Sequence, residues 1–318
     1  MTKRPWRRQA DTGLLATDCG NTFQKRHTAR AGKFLVPCFF LVYPDRTATN
    51  GPLQNTMSYL IISTVALAVA GLTLFSGFGL GTLLMPVFAL FFPVEVAVAA
   101  TAMVHLANNL FKATLFGRQA DYKIVVRFAL PAALAAMLGA LLLNRLSSMA
   151  PIASYSLGTR LFTITWLKTS IGVLIMAFSV TELWPGLKKL SFPPRFIPIG
   201  GIISGFFGGL SGHQGALRTA FLLRAGLSKE ALIGTMILSA IVVDISRMLI
   251  YGTTFFMRDY TVMQAKGGFG LVAAGTFAAF LGTFTASRFL KKMTLYTVQT
   301  LVGILLLLLA LALGTGLL

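Results

Sequence analysis

The sequence predicts an all-α integral membrane protein of about eight hydrophobic segments in two repeats, with segments one and five broken. Three observations predict it. Of 318 residues, 55% are hydrophobic and only 12% charged, against about 25% charged in an ordinary soluble domain. The apolar residues fall in continuous runs, and about 20 such residues span the hydrocarbon core as a helix. The runs do not alternate with period two, which excludes an outer-membrane barrel. The formal net charge of +19 does not imply nucleic acid as a partner. Most basic residues flank the apolar runs, where they anchor loops at the lipid bilayer and set orientation. Cys19 and Cys38 give neither a metal-ligand spacing nor a disulfide framework. No metal, cofactor or catalytic residue is expected.

Residues 1–56 are basic and irregular, and carry nine Lys and Arg before residue 51. Their one apolar run, Phe34 to Tyr43, is too short to cross and contains Pro37. A signal peptide would place a small-x-small cleavage site soon after this run, and none follows. The expectation is a disordered tail, or one that the native protein lacks. Met57 opens an apolar helix, and a chain begun there is expected to insert and act fully.

The first repeat, 57–190, holds segments 58–92, 94–116, 124–143 and 162–183. The second, 191–318, holds 196–225, 229–251, 267–287 and 295–316. Two of these are too long for one crossing. At 1.5 Å per residue, 58–92 would be roughly 52 Å long and 196–225 roughly 45 Å, against a core of about 30 Å. Each carries a glycine cluster at mid-length, Ser76-Gly-Phe-Gly-Leu-Gly81 and Ser204-Gly-Phe-Phe-Gly-Gly-Leu-Ser-Gly-His-Gln-Gly215. Glycine permits the backbone angles that interrupt a helix. The halves also align: Gly77, Gly79 and Gly81 with Gly212, Gln214 and Ala216, and Ala97 and Thr101 with Ala231 and Thr235. Paired interrupted segments in corresponding positions mark transporter binding sites.

A broken segment can cross fully or re-enter as a hairpin, and charge placement separates the two courses. Counted from Arg118 and omitting the intramembrane positions Lys168, Arg218 and Arg247, full crossings leave eight Lys and Arg on one side against seven on the other. Hairpins regroup the loops to eleven against four, which satisfies the positive-inside rule. The hairpin course makes the halves inverted copies and turns both termini away from the cytoplasm.

Ionisable residues at membrane depth are costly and are functional candidates by default. His105, Asn108 and Asn109 lie within about one helical turn; their alternative role is interhelical packing. His213, Gln214 and Arg218 follow Gly212 and Gly215 at the second break. Free N–H groups of a new half-helix favour an anion there. Arg218 adds a fork that suits an oxyanion. Asp244 and Arg247 are spaced to pair on one helix. Either they neutralise each other, or Asp244 carries a proton and Arg247 joins Arg218 at the substrate. Lys112 and Lys168 lie near segment ends and are expected to snorkel. The expected partner is a small anionic solute; oligomeric state does not follow from the sequence.

Gly77-Phe-Gly-Leu-Gly-Thr-Leu-Leu-Met-Pro86 and Pro93-Val-Glu-Val-Ala-Val-Ala-Ala-Thr101 resemble the first-repeat signature of the TauE/SafE sulfite-exporter family. Gly201 to Gly215, continued by Leu-Ser-Lys-Glu-Ala-Leu-Ile-Gly-Thr235, is similar to its second copy. The likeness covers about 57–318. It implies an eight-segment permease of the inner membrane, associated with sulfite and organosulfonate anions and coupled to the proton gradient. Leu80 replaces a middle glycine, His213, Gln214 and Ala216 interrupt the second glycine run, and Phe221 replaces a proline. These departures point to a substrate other than the usual one. A passive anion channel shares the fold and the arginine site, and a scaffold is a third class. Gly209-Leu-Ser-Gly212 and His105-Leu-Ala-Asn-Asn109 also match rhomboid serine-protease patterns. No histidine follows His213 to activate Ser211, however.

Overall fold

A computed structural model describes residues 52–74, 80–158, 160–184, 191–254, 260–289 and 295–317, all within a compact unit that begins at Pro44. The expected tail up to residue 51 lies outside the described residues, as do Gly77 and Gly79. The elements are α1 (Pro52–Thr73), α2 (Leu80–Ala89), α3 (Val94–Phe116), α4 (Tyr122–Ser147), β1 (Ala153–Leu157), β2 (Arg160–Ile164), α5 (Trp166–Leu183), α6 (Ile197–Ser211), α7 (Gly215–Leu222), α8 (Lys229–Thr254), α9 (Tyr260–Ala265), α10 (Gly268–Phe289) and α11 (Leu295–Gly314). The protein is an all-α membrane protein. Among the described residues, five helices are long and apolar enough to cross a bilayer: α1, α3, α4, α8 and α10.

Three element boundaries differ from expectation. Helix α1 starts at Pro52, five residues before Met57; proline suits a first helical turn, where its missing N–H costs nothing. The fourth segment does not begin as helix at 162. Residues 160–164 pair with 153–157 in an antiparallel hairpin that turns at Gly158, with φ +64°. Helix resumes only where the Thr165 side chain caps α5 by accepting from Lys168 N. A short helix, α9, precedes α10. Lys168 reaches back past the start of α5, where its Nζ donates to Thr163 O at 2.9 Å.

The fifth segment breaks at residues 212–214. Helix α6 spans 15 residues and α7 eight, roughly 22 Å and 12 Å at 1.5 Å per residue, so neither spans a core of about 30 Å. Gly212, at φ +82°, turns the chain, and α7 runs back along α6. A Cβ at Gly208 would touch Gln214, and one at Gly200 would collide with Phe221. Further along, Phe192 N donates to Ala220 O. Both ends of the first broken segment reach one loop region. Tyr59 on α1 packs on Gly270, and Phe91 O, just past α2, accepts from Lys266 Nζ at 3.2 Å.

Glycines set the helix pairs. Gly201, Gly205 and Gly209 of α6 lie against the backbone at Phe128, Ala132 and Ala136 of α4, where any Cβ would collide. Both series rise together, so these helices are parallel. Tyr59, Ile62 and Leu67 of α1 meet Gly270, Gly275 and Gly282 of α10 in the same sense. By contrast, α3 and α8 are antiparallel. Phe116 lies against Gly234, and His105 pairs with Asp244. In the same way α5 and α11 are antiparallel, with Gly172 against Gly314 and Thr163 against Gly316. Small residues let backbones approach where lipid supplies no hydrophobic drive.

Candidate functional site

The site grows from one carboxylate. Asp244 lies midway along α8 and is fully buried. Helical spacing brings Arg247 alongside, and its Nε and Nη2 donate to Asp244 Oδ1 at 3.1 and 2.7 Å. The antiparallel course of α3 brings His105 and Asn109, one turn apart, to the other oxygen. His105 Nδ1 donates to Oδ2 at 2.6 Å and Asn109 Nδ2 at 3.1 Å. From the turn between α6 and α7, Gln214 Nε2 donates to Oδ1 at 3.2 Å. Four residues on three elements thus converge on one carboxylate, whose oxygens together offer about four lone-pair sites.

The same helix caps the carbonyl end of α6. Such an end leaves up to four C=O groups without helical partners. Arg247 Nη1 donates to Gly208 O at 3.2 Å, and the Tyr251 hydroxyl donates to Gly209 O. His213 Nδ1 lies 3.0 Å from Ser211 O and 3.2 Å from Ser211 Oγ. A carbonyl only accepts, so Nδ1 carries the proton and cannot take one from the serine. Ser211 Oγ itself donates to Phe207 O at 3.0 Å. This geometry gives the serine no base.

Beside the network lies a cavity of about 30 Å³, lined on its polar side by Thr73, His105, Asn109, Lys112 and Arg218, and on its apolar side by Leu74, Leu80, Ile233, Met236 and Ile237. Arg218 sits one turn into α7, and its Nε and Nη1 are buried with no hydrogen-bond acceptor among the described residues. Lys112 is only 7% exposed. Asp244 pairs with His105 and Arg247, and among the described residues no carboxylate forms an ion pair with Lys112 or Arg218. Two cations face one small space. Unpaired buried charge is costly, and an anion would relieve it.

The structure brings together most of the residues singled out by sequence. Gly81, in the first turn of α2, faces Gly212 O, so that a Cβ there would stand 3.4 Å from that oxygen and 3.7 Å from the His105 ring. Gly215 opens α7. Arg247 does not line the cavity; it ties Asp244 to α6. Asn108 points toward α10, where its Oδ1 accepts from Thr283 Oγ1 at 2.9 Å. The His213 ring stacks on Phe178 of α5, with centroids 6.0 Å apart. Lys112 corrects an expectation: it does not snorkel but turns inward. The available signal was its spacing, three residues after Asn109 and seven after His105, on one helix face. Tyr251 and Ser204 carried no such signal. Ser204 Oγ donates to Gln214 O at 3.1 Å, across a turn that only the fold creates.

Apolar helices folded around this polar centre define a multi-pass membrane protein. The chain belongs to the sulfite exporter TauE/SafE family, whose model matches residues 61–313. That family is one of membrane transporters for sulfite or related anions. No curated protein and no solved structure matches the chain.

Proposed function

We propose that the protein is an inner-membrane permease that moves a small oxyanion, such as sulfite, an organosulfonate or a related species, by proton-coupled secondary transport. The observation that carries this reading is Arg218, with two buried N–H-bearing nitrogens and no acceptor among the described residues, beside Lys112 in one cavity. A guanidinium fork suits an oxyanion. A water needs about 10–15 Å³ of such space, so the cavity of about 30 Å³ holds roughly two waters, and a small oxyanion head would displace them.

The permease consists of two inverted halves. Helices α1 and α10 are parallel, as are α4 and α6, and exchanging the halves interchanges these pairs. The pairs that map onto themselves, α3 with α8 and α5 with α11, are antiparallel, as a two-fold axis in the membrane plane requires. The return of α7 along α6 favours re-entrant hairpins and, by the positive-inside rule, termini facing away from the cytoplasm. Tyr155 OH to Thr315 O and Lys266 Nζ to Phe91 O join loops that only the hairpin course puts on one side.

The test is anion-dependent thermal stabilisation of purified protein, followed by uptake into proteoliposomes with and without a proton gradient. One anion class should stabilise the protein. Hydrogen bonds to charged groups contribute about 1.5–3 kcal/mol, so Arg218→Gln and Lys112→Met should each weaken binding about 10–100-fold. Equal stabilisation of Arg218→Gln and the unaltered chain by the same anion would reject the site.

A further inference from the structure

We infer that His105, held by Asp244, is the group that takes up the proton, and that its imidazolium Nε2–H becomes a ligand of the anion, so that proton and anion bind together. This rests on the anion site proposed above and names the proton carrier within it.

Asp244, the carboxylate nominated by sequence, is poorly suited to that role. Its oxygens accept five hydrogen bonds, from His105, Asn109, Gln214 and, twice, Arg247. A proton on either oxygen would displace a donor and leave Arg247 without its counter-charge. The carboxylate instead sets the state of the imidazole. Because it only accepts, His105 Nδ1 must carry hydrogen, and the remaining titratable atom is Nε2. Asn109 Nδ2 is likewise a donor, since it donates to Asp244 Oδ2, and it lies 3.1 Å from Nδ1 and 3.4 Å from Nε2. Nε2 thus has a donor beside it and, among the described residues, no acceptor. Once Nε2 is protonated it faces a donor and needs an acceptor. His105 lines the cavity with Lys112 and Arg218, and an oxyanion held there supplies that acceptor. The proton comes from water and adds to Nε2; no covalent bond to the anion forms or breaks.

Asp244 and Arg247 act on His105 from α8 and Arg218 from α7, and Lys112 shares the cavity from α3. Tyr251 of α8 is engaged with Gly209 O. Helix α2 has no ionisable residue, α1 has only Tyr59, and α10 only Arg288 near its end. The carbonyl end of α6, where an interrupted helix can coordinate a coupling cation, is already capped by Arg247 and Tyr251.

The probes are sulfate and thiosulfate, which keep one charge state between about pH 6 and pH 8, the range in which histidine titrates. Calorimetric titration of the full chain in two buffers of different ionisation heat gives both affinity and protons taken up. Because protonation and anion binding favour each other reciprocally, affinity should rise as pH falls, by up to about tenfold per pH unit for one proton. His105→Asn should bind with little pH dependence and no proton uptake. Should that variant not fold, ¹⁵N-histidine spectra of the unaltered chain, which has three histidines, give the same answer. His105 should be Nδ1–H when free and protonated at both nitrogens when the anion is bound. Binding without proton uptake, or a pH dependence that survives His105→Asn, overturns this inference and leaves the anion site standing. Absence of binding by either anion at both pH values rejects the anion site and this inference with it.

Discussion

Asparagine at 244 isolates the charge at the centre of the network while nearly preserving its shape. In the unaltered protein the carboxylate neutralises Arg247, the largest fully buried side chain among the described residues. Asp244→Asn keeps one oxygen for the guanidinium but removes the counter-charge, and turns an NH₂ toward His105 Nδ1 and the Asn109 NH₂. Breaking a buried ion pair from one side costs about 3–5 kcal/mol. At about 2–4 °C per kcal/mol for a domain of this size class, thermal unfolding in detergent should shift down by about 6–20 °C. The informative comparison is Asp244→Asn with Arg247→Met. Removing both charges leaves Gly208 O still bonded, because it also accepts from Gly212 N at 2.9 Å. The double variant should therefore be more stable than Asp244→Asn alone, since replacing both partners by uncharged groups is often neutral. A loss of less than about 1 kcal/mol in Asp244→Asn, as for an exposed pair, or a double variant no more stable than the single, would refute this account.

Two further predictions test the frame around the site. Gly205→Ala places a Cβ into Ala132 of α4, and should destabilise by about 1–3 kcal/mol as overpacking does. Gly252→Ala, where nothing lies within 4 Å, should stabilise α8 by about 0.4–1 kcal/mol; chemical denaturation distinguishes them, and equal effects would contradict the packing described. Single cysteines introduced near Lys123 and Arg224, in a chain lacking Cys19 and Cys38, should be labelled from the same cytoplasmic side, and one at Tyr155 from the other. Labelling of Arg224 and Lys123 from opposite faces would reject the hairpin course.

Much of this molecule was legible in its hydropathy. Continuous apolar runs in a chain with few charges can satisfy their backbone in lipid only as helices, so the membrane class and most helix positions follow from composition and run length. The glycine cluster before Gly215 marked a break because no straight helix of that length fits the core. His105, Asp244 and Arg218 stood out for a related reason, since polar groups in an apolar run are too costly to be incidental. The fold decided what those groups do. Spacing along one helix could pair Asp244 with Arg247 but could not bring His105 across from α3; the antiparallel packing of α3 on α8 did that. Lys112 near a helix end is equally compatible with snorkelling outward and with facing a cavity, and only the position of α7 makes the difference. The 160–164 stretch is apolar enough to continue a helix, yet it pairs with 153–157, because strand partners come from a turn that hydropathy does not record. Sequence determines which groups are expensive to bury; tertiary packing determines which partners meet that expense, because those partners are distant along the chain and adjacent only after folding.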